Sequence, residues 1–479
     1  MAHFLEADLQ PWADALASAL FTTEAPPSGT VAGSAAQPEA VPANSQLVGW
    51  KDTWSRIDEL TPLAADAVLR AWRLPLREQL PLTPAEWQPA VISSHAVNGA
   101  LKLSLVMAEA CSSAMHAMHD VRYLSLEHHT PARPHSPPTT SGINRTLQAV
   151  ATMPALRSVE LDVSRSGLAH LVEALLAPAL NRLSQLAALD LGYNEIGDDG
   201  AAALAQPLKA VTALTALDLS GNNIGDAGAK ALAPALSQLS HLMRLGLDDN
   251  EMGADGTAAL ALPLGALTDL TGLHWDWSRF GLSGAEALAP ALSRLSRLAD
   301  LSLSGNETGA AGAAALAQPL SALTGLTALD LSDNKIGYDI IGVNGVAQLP
   351  QPLAALSALM VLDLSANYID DAGAEALAPA LSHLSRLAHL DLHENDIRAF
   401  GAAALAQPLG TLTALTALDL SANLLRDAGA VALAPALSLL TRLVDVGLLD
   451  NDIGAAGFAA LEEPLAGLFA LDELYYELY

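Results

Sequence analysis

The segment 214–236, LTALDLSGNNIGDAGAKALAPAL, returns along this chain at a fixed interval. Asparagines closing the same phrase stand at Asn194, Asn222, Asn250, Asn306, Asn334, Asn367, Asn395, Asn423 and Asn451. Successive members lie 28 residues apart, except for one gap of 56 and one of 33 between Asn334 and Asn367. So short a unit has too little apolar surface to fold alone, and repetition supplies the missing partner: each copy buries its apolar face against the next.

Each asparagine ends a frame L-x-x-L-x-L-x-x-N, as in Leu214, Leu217, Leu219, Asn222 and in Leu415, Leu418, Leu420, Asn423. This frame is identified as that of a leucine-rich repeat. Fainter copies at Val121, Leu124, Leu126, at Leu156, Val159, Leu161 and at Leu471, Leu474, Tyr476 extend the array to 13 frames. Leu217 and Leu219 alternate with Ala216, Asp218 and Ser220, the period of a strand with one buried face. The following DAGAKALAPALSQL carries Ala and Leu at helical spacing, so each repeat is a strand and then a helix. Parallel strands stack about 4.8 Å apart, whereas helices need about 8–10 Å. The expected fold is therefore an α/β solenoid curved with its parallel sheet inside and its helices outside. The asparagine amide, which both donates and accepts, suits a ladder satisfying the backbone at the turn that leaves each strand.

The helices alternate between two wordings, GAAALAQPL and LAPAL, which implies a paired unit of 56 residues. Alternation of this kind resembles the ribonuclease-inhibitor class of leucine-rich repeats. The GAxALA wording at 228–233 and 373–378 is similar to the GALA-type repeats of bacterial plant-pathogen effectors. The resemblance spans 121–479 and speaks to fold far more than to ligand, because repeat wording is copied for stacking. Pro207, Pro234, Pro290 and Pro379 fall inside the helical segments, where a proline costs about 3 kcal/mol. The helices are therefore expected to be short and to end or kink near their prolines.

Two further regions precede the repeats. Residues 1–46, with TTEAPPSGTVAGSAAQPEAVPANSQ at 22–46, have the composition of a flexible segment and linker, compatible with delivery by a specialised secretion system. Residues 47–118 read as helical, through Trp50, Trp54, Ile57, Leu60, Ala67, Leu69 and Trp72. One reading is a cap over the open end of the solenoid. The other is a degenerate F-box: Leu80-Pro81, Pro84-Ala85-Glu86-Trp87 and LKLSLVMAEACSSAMHAMHDVRYLSL at 101–126 loosely resemble that motif, which would recruit a ubiquitin-ligase adaptor through residues 80–118. Pro89 and the serines at 112 and 113 depart from it.

With 52 acidic against 23 basic residues the formal charge is −29, a field that repels nucleic acid and anionic lipid and favours a basic protein partner. The single cysteine, Cys111, suits a reducing compartment, and no secretory signal or membrane span is legible, so a cytoplasmic setting is expected. The sequons at Asn144 and Asn306 then read as chance matches.

No nucleotide-binding, metalloprotease or nucleophile-elbow motif is present, and the chain reads as non-enzymatic, without cofactor or metal. A GTPase-activating role would rest on fold similarity alone. His116, His119, His128, His129 and His135 read as solvated histidines beside a proline-rich loop, and Cys111 as a small buried residue.

What remains for binding is the sheet face. Between the last two leucines of the frames stand Asp190, Asp218, Gly246, His274, Ser302, Asp330, Asp363, Asp391 and Asp419. Two strand positions later come Gly192, Ser220, Asp248, Asp276, Ser304, Ser332, Ser365, His393 and Ser421. Aspartates aligned in four successive repeats repel one another, which points either to a cationic partner or to ordinary solvated wording. The repeat LTGLHWDWSRFGLSG at 270–284 breaks the phrase: Ser278 replaces the ladder asparagine, Trp275 takes a core position, and Trp277 is placed at the exposed strand exit, as a binding anchor or a cover for the turn. The five extra residues after Asn334 read as a neutral insertion or, alternatively, as a protrusion bringing Tyr338 and Ile340 toward a partner. The reading is a protein-binding scaffold for a basic partner on the sheet face, with an F-box-like substrate receptor as the alternative.

Overall fold

The computed structural model describes residues 100–104, 123–127, 146–153, 156–162, 176–338 and 345–466, all within one unit, Trp87–Tyr479. Its strands are β1 (Ala100–Ser104), β2 (Tyr123–Glu127), β3 (Ser158–Asp162), β4 (Ala188–Asp190), β5 (Ala216–Asp218), β6 (Arg244–Gly246), β7 (Gly272–His274), β8 (Asp300–Ser302), β9 (Ala328–Asp330), β10 (Val361–Asp363), β11 (His389–Asp391), β12 (Ala417–Asp419) and β13 (Asp445–Gly447). They form one 13-stranded sheet in which every strand lies beside its neighbour in sequence. All pairings are parallel.

The repeat period sets the register. Leu217 pairs with Leu189 on one side and Leu245 on the other, and the side-chain period of two then sends every such leucine inward. The 33-residue repeat keeps the same register, with Leu329 opposite Leu362. Its additional residues therefore leave the sheet undisturbed; Ile340 lies outside the described residues.

At the N-terminal side the structure departs from the sequence reading. Ala100–Ser104, placed above in a helical segment, form β1 and pair along their length with β2. The alternation Leu101, Leu103 is that of a strand, masked in sequence by the apolar residues that follow it. The other residues of 47–118 and the frame at Leu471 lie outside the described residues, as do Cys111 and the histidines from 116 to 135.

Most repeats continue into a helix of 11–14 residues, whereas the helices after β3, β9 and β13 have 4, 6 and 7 residues. In Asp226–Leu236 the buried positions are Gly228, Ala229, Leu232, Ala235 and Leu236, one face at helical spacing. Core leucines from Leu124 to Leu465 form one continuous cluster between helices and sheet. The helices end one to three residues after their prolines. The two helix wordings turn out to place proline differently. Pro207, Pro263, Pro319 and Pro408 are buried, whereas in the alternate helices the adjacent alanines, Ala235, Ala291, Ala380 and Ala436, take that place and the prolines face out.

The same two-repeat alternation appears before the strands. Hydroxyls of Thr215, Thr271, Thr327 and Thr416 donate to the backbone carbonyls of Ala187, Met243, Ala299 and Ala388, each in the preceding repeat.

Two devices join successive repeats through otherwise orphaned backbone. In the ladder, Asn222 Nδ2 donates to the carbonyls of Leu191, Leu219 and Ser220, while its Oδ1 accepts from Asn194 N and Ile196 N. Asn306, buried in the same pattern, is closed to glycosylation in this fold. The second device was not read from sequence. Asp198 Oδ1 accepts from Gly225 N and Gly228 N of the next repeat at 2.8 and 2.7 Å, and Asp427 does the same for Gly454 and Gly457. These aspartates open a helix, where a side chain is expected to serve its own helix end, yet they cap the following one.

Candidate functional site

The register assembles the acidic row. Asp330, Asp363, Asp391 and Asp419 are direct partners across β9 to β12, and Asp190 pairs with Asp218 across β4 and β5. Neighbouring members are about 4.8 Å apart by strand spacing. Most of them also serve their own turn: Oδ1 of Asp218, Asp330, Asp363, Asp391 and Asp419 each accepts the backbone N–H two residues on, at 2.8–2.9 Å. Asp190 holds Gly192 N in the same way.

Burial and crowding resist ionisation at two members of this row, Asp330 and Asp363. Asp363 is only 5% exposed; its burial and the neighbouring charges of Asp330 and Asp391 push its carboxyl up to about 7, against the bonds from Ser365. Asp330 is raised as well, by burial first.

A second cluster forms in the repeat that breaks the phrase. Ser302 Oγ donates to both carboxylate oxygens of Asp276, at 2.7 and 2.9 Å, and Ser304 N donates to its Oδ1. Asp276 N in turn donates to Asp248 Oδ1. Burial, then the charges of Asp248 and Asp330, push Asp276 up to about 7, and burial raises Asp248. His274 Nε2 lies 3.0 Å from Asp300 Oδ2. Burial opposes the charged imidazole, but the Asp300 bond and the fields of Asp300, Asp248 and Asp276 outweigh it and hold the ring near 9. Asp300, buried at the head of β8, was missed in the sequence reading. Its signal was available: it stands two strand positions before Ser302, on the same face.

His393, between Asp391 and Asp419, is a comparable case. Its Nδ1 lies 2.9 Å from Asp391 Oδ1, and that bond, against burial and with the charges of Asp391, Asp419 and Asp363, holds the imidazole near 9.

Trp275 and Trp277 point to opposite faces. Trp275 is fully buried, edge-on to Phe280 with ring centroids 5.9 Å apart, and its Nε1 has no hydrogen-bond partner. Trp277 is 54% exposed and sits in the left-handed region, φ 54°. The repeat imposes that conformation: the residue before the ladder position is left-handed in the other ordered repeats as well, for example Asp249, Ala366 and Glu394. Tyr193 stands at the equivalent position three frames earlier, also left-handed and exposed. Tyr338 is exposed too and packs on Tyr368, centroids 5.4 Å apart. Beneath Trp277 the ladder is weakened: Ser278 N still donates to Asn306 Oδ1, but its hydroxyl reaches only Asp276 O, at 3.4 Å.

Segments 186–205, 212–233, 323–341, 357–378 and 411–434 match the Leucine Rich repeat family. This chain is a leucine-rich-repeat protein. No curated protein matches it. Among solved structures this leucine-rich-repeat chain is similar to an internalin (inlF) of Listeria monocytogenes, with 21% identity over 74% of this chain and 81% of that one, TM-score 0.43. An internalin C2 (inlC2) of the same species shows 24% identity over 51% of this chain and 80% of that one, TM-score 0.29. A leucine-rich-repeat protein of Leptospira interrogans shows 16% identity over 74% and 97%, TM-score 0.39. Among the described residues no helix is long and apolar enough to cross a membrane.

Proposed function

We propose that this leucine-rich-repeat protein is a non-enzymatic scaffold whose sheet face holds a partner protein through a basic patch. The observation that carries the reading is the row Asp330, Asp363, Asp391, Asp419, aligned strand by strand. The Lys and Arg ion pairs among the described residues, Lys230–Asp255, Arg297–Asp269 and Lys335–Glu307, all lie off this row. A basic partner would supply the counter-charge and relieve the repulsion that burial intensifies. Asp190, Asp218, Asp248, His274, Asp276 and His393 extend the same surface. Trp277 adds an exposed indole at a turn position that is left-handed in every repeat from Tyr193 onward, so the side chain and not the backbone sets this repeat apart. A cytoplasmic setting, in the cell of origin or in a host after secretion, accords with the lone Cys111.

The test is affinity capture from cell extract followed by surface-plasmon kinetics. Changing Asp363, Asp391 and Asp419 together to Asn should slow association and flatten its salt dependence, while Trp277→Ala should speed dissociation by an amount worth about 2 kcal/mol. Unchanged rates in both variants, with circular dichroism intact, would move the binding surface off the sheet face. The alternative, an F-box-like substrate receptor acting through residues 80–118, has to accommodate β1, a strand of the sheet at Ala100–Ser104 inside the segment where that motif needs helix.

A further inference from the structure

We propose that Asp391, His393 and Asp419 form a binding site for a divalent transition-metal ion of the zinc type. One donor atom from each lies within 4.8 Å of the other two, and no other group of three or more His, Cys, Asp or Glu among the described residues converges in this way. The parallel register makes the arrangement. Asp391 and Asp419 are direct partners on β11 and β12, and His393 leaves β11 on the same face two residues later. Other repeats carry serine at that position: Ser332, Ser365 and Ser421. From Ser220 to Ser421 the array thus introduces a nitrogen donor at one place in a row otherwise made of side-chain oxygens.

The distances suit a small ion. Zinc bonds of about 2.0–2.2 Å put tetrahedral ligand atoms about 3.4 Å apart, a spacing close to that of donors within 4.8 Å of one another. A separate observation lies beside the cluster. Asp363 is 5% exposed and in register with Asp391, yet both of its hydrogen bonds, from Ser365 N and Ser365 Oγ, fall on Oδ1. Its Oδ2 takes no bond from the described residues and is left to solvent, so the carboxylate adds negative charge beside the cluster. Its charge acts on His393, so it belongs to the same electrostatic neighbourhood.

The donor set also discriminates. Calcium takes six to eight oxygens in a flexible cage, whereas imidazole with carboxylates favours zinc, nickel or cobalt. Three protein donors leave a coordination position open for water or for a donor from a partner. The ion would tie β11 to β12 and neutralise the densest part of the acidic row. The proposal does not depend on the identity of any protein partner.

The experiment is isothermal titration of the full chain with zinc chloride in a non-chelating buffer near neutral pH, beside His393→Ser and Asp419→Asn. Serine is the residue that neighbouring repeats carry at that position, and circular dichroism verifies the fold of both variants. The expected result is a saturable zinc step whose affinity falls at least about tenfold in each variant, by analogy with metal-site disruptions. Calcium chloride should give no saturable step. Zinc bound by histidines elsewhere in the chain would persist in the variants and is separated by the difference between isotherms. Superimposable isotherms for the parent and His393→Ser, or no saturable zinc heat in the parent, would overturn the proposal. Equal affinities for calcium and zinc would overturn it as well, since that is the behaviour of a carboxylate row alone.

Discussion

The indole of Trp277 lies directly on Gly305: a β-carbon built on that glycine would come within 2.5 Å of the ring. The same contact recurs between Tyr193 and Gly221. Each aromatic thus needs a glycine in the following repeat, and Gly305 is also left-handed, at φ +67°. Gly305→Ala should therefore cost about 1–2 kcal/mol from backbone conformation alone and displace the indole as well. Gly325→Ala, where nothing stands within 4 Å of the added carbon, should stay within about 0.5 kcal/mol of the parent. Denaturant unfolding of the two variants checks this; equal losses would mean that Trp277 does not rest on Gly305 in solution.

The ladder supplies a contrast between two neighbouring side chains. Asn222 makes five bonds to backbone groups of two repeats, whereas the Ser220 hydroxyl reaches Asp248 only at 3.5 Å. Asn222→Ala should destabilise by at least about 1–3 kcal/mol, the cost of leaving a buried backbone group unpaired, and Ser220→Ala by much less. Urea midpoints measure the difference, and equal shifts would sink the ladder as the source of stability.

At Ser278 the converse change is expected to help. From Asn222 onward an amide at this position reaches a backbone carbonyl of the preceding repeat in every asparagine-bearing frame, as Asn306 does with Trp275 O. Ser278→Asn should therefore raise stability by about 1 kcal/mol, the net worth of one or two hydrogen bonds. A lower unfolding midpoint would show that Trp275 and Phe280 have closed the space the amide requires.

Asp276 leads to a prediction opposite in sign to that for a salt-bridged carboxylate. Its folded pKa is pushed above the ordinary 3.8 to about 7, so the fold holds its proton more tightly than the unfolded chain does. The stability it contributes is full below pH 3.8 and is lost as pH rises to about 7. Asp276→Asn should remove that part of the decline, so the gap between variant and parent should widen across this window. His274, held near 9 against an ordinary 6.5, acts in a separate window: its contribution is lost between pH 6.5 and 9. Urea titrations at a series of pH values distinguish the two, and parallel curves for parent and Asp276→Asn between pH 4 and 7 would refute the assignment.

Spacing carried most of the architecture. A 28-residue period in leucine and asparagine specifies strand, turn and helix, because every copy has the same faces to bury and only another copy to bury them against. It also specifies register, so the row from Asp330 to Asp419 could be written down from the chain alone. Tertiary structure alone decided matters that depend on which neighbour a side chain meets. Asp198 caps the helix after its own, since two helices packed side by side bring its carboxylate to the next N-terminus. Trp277 rests on Gly305, 28 residues away, and Asp300 turns to His274 and not toward solvent. The strand Ala100–Ser104 belongs to the sheet because β2 offers it an edge, while its own wording is too degenerate to declare itself. A period tells each residue its place within a repeat, whereas charge balance and contact arise between repeats, where small differences among copies meet.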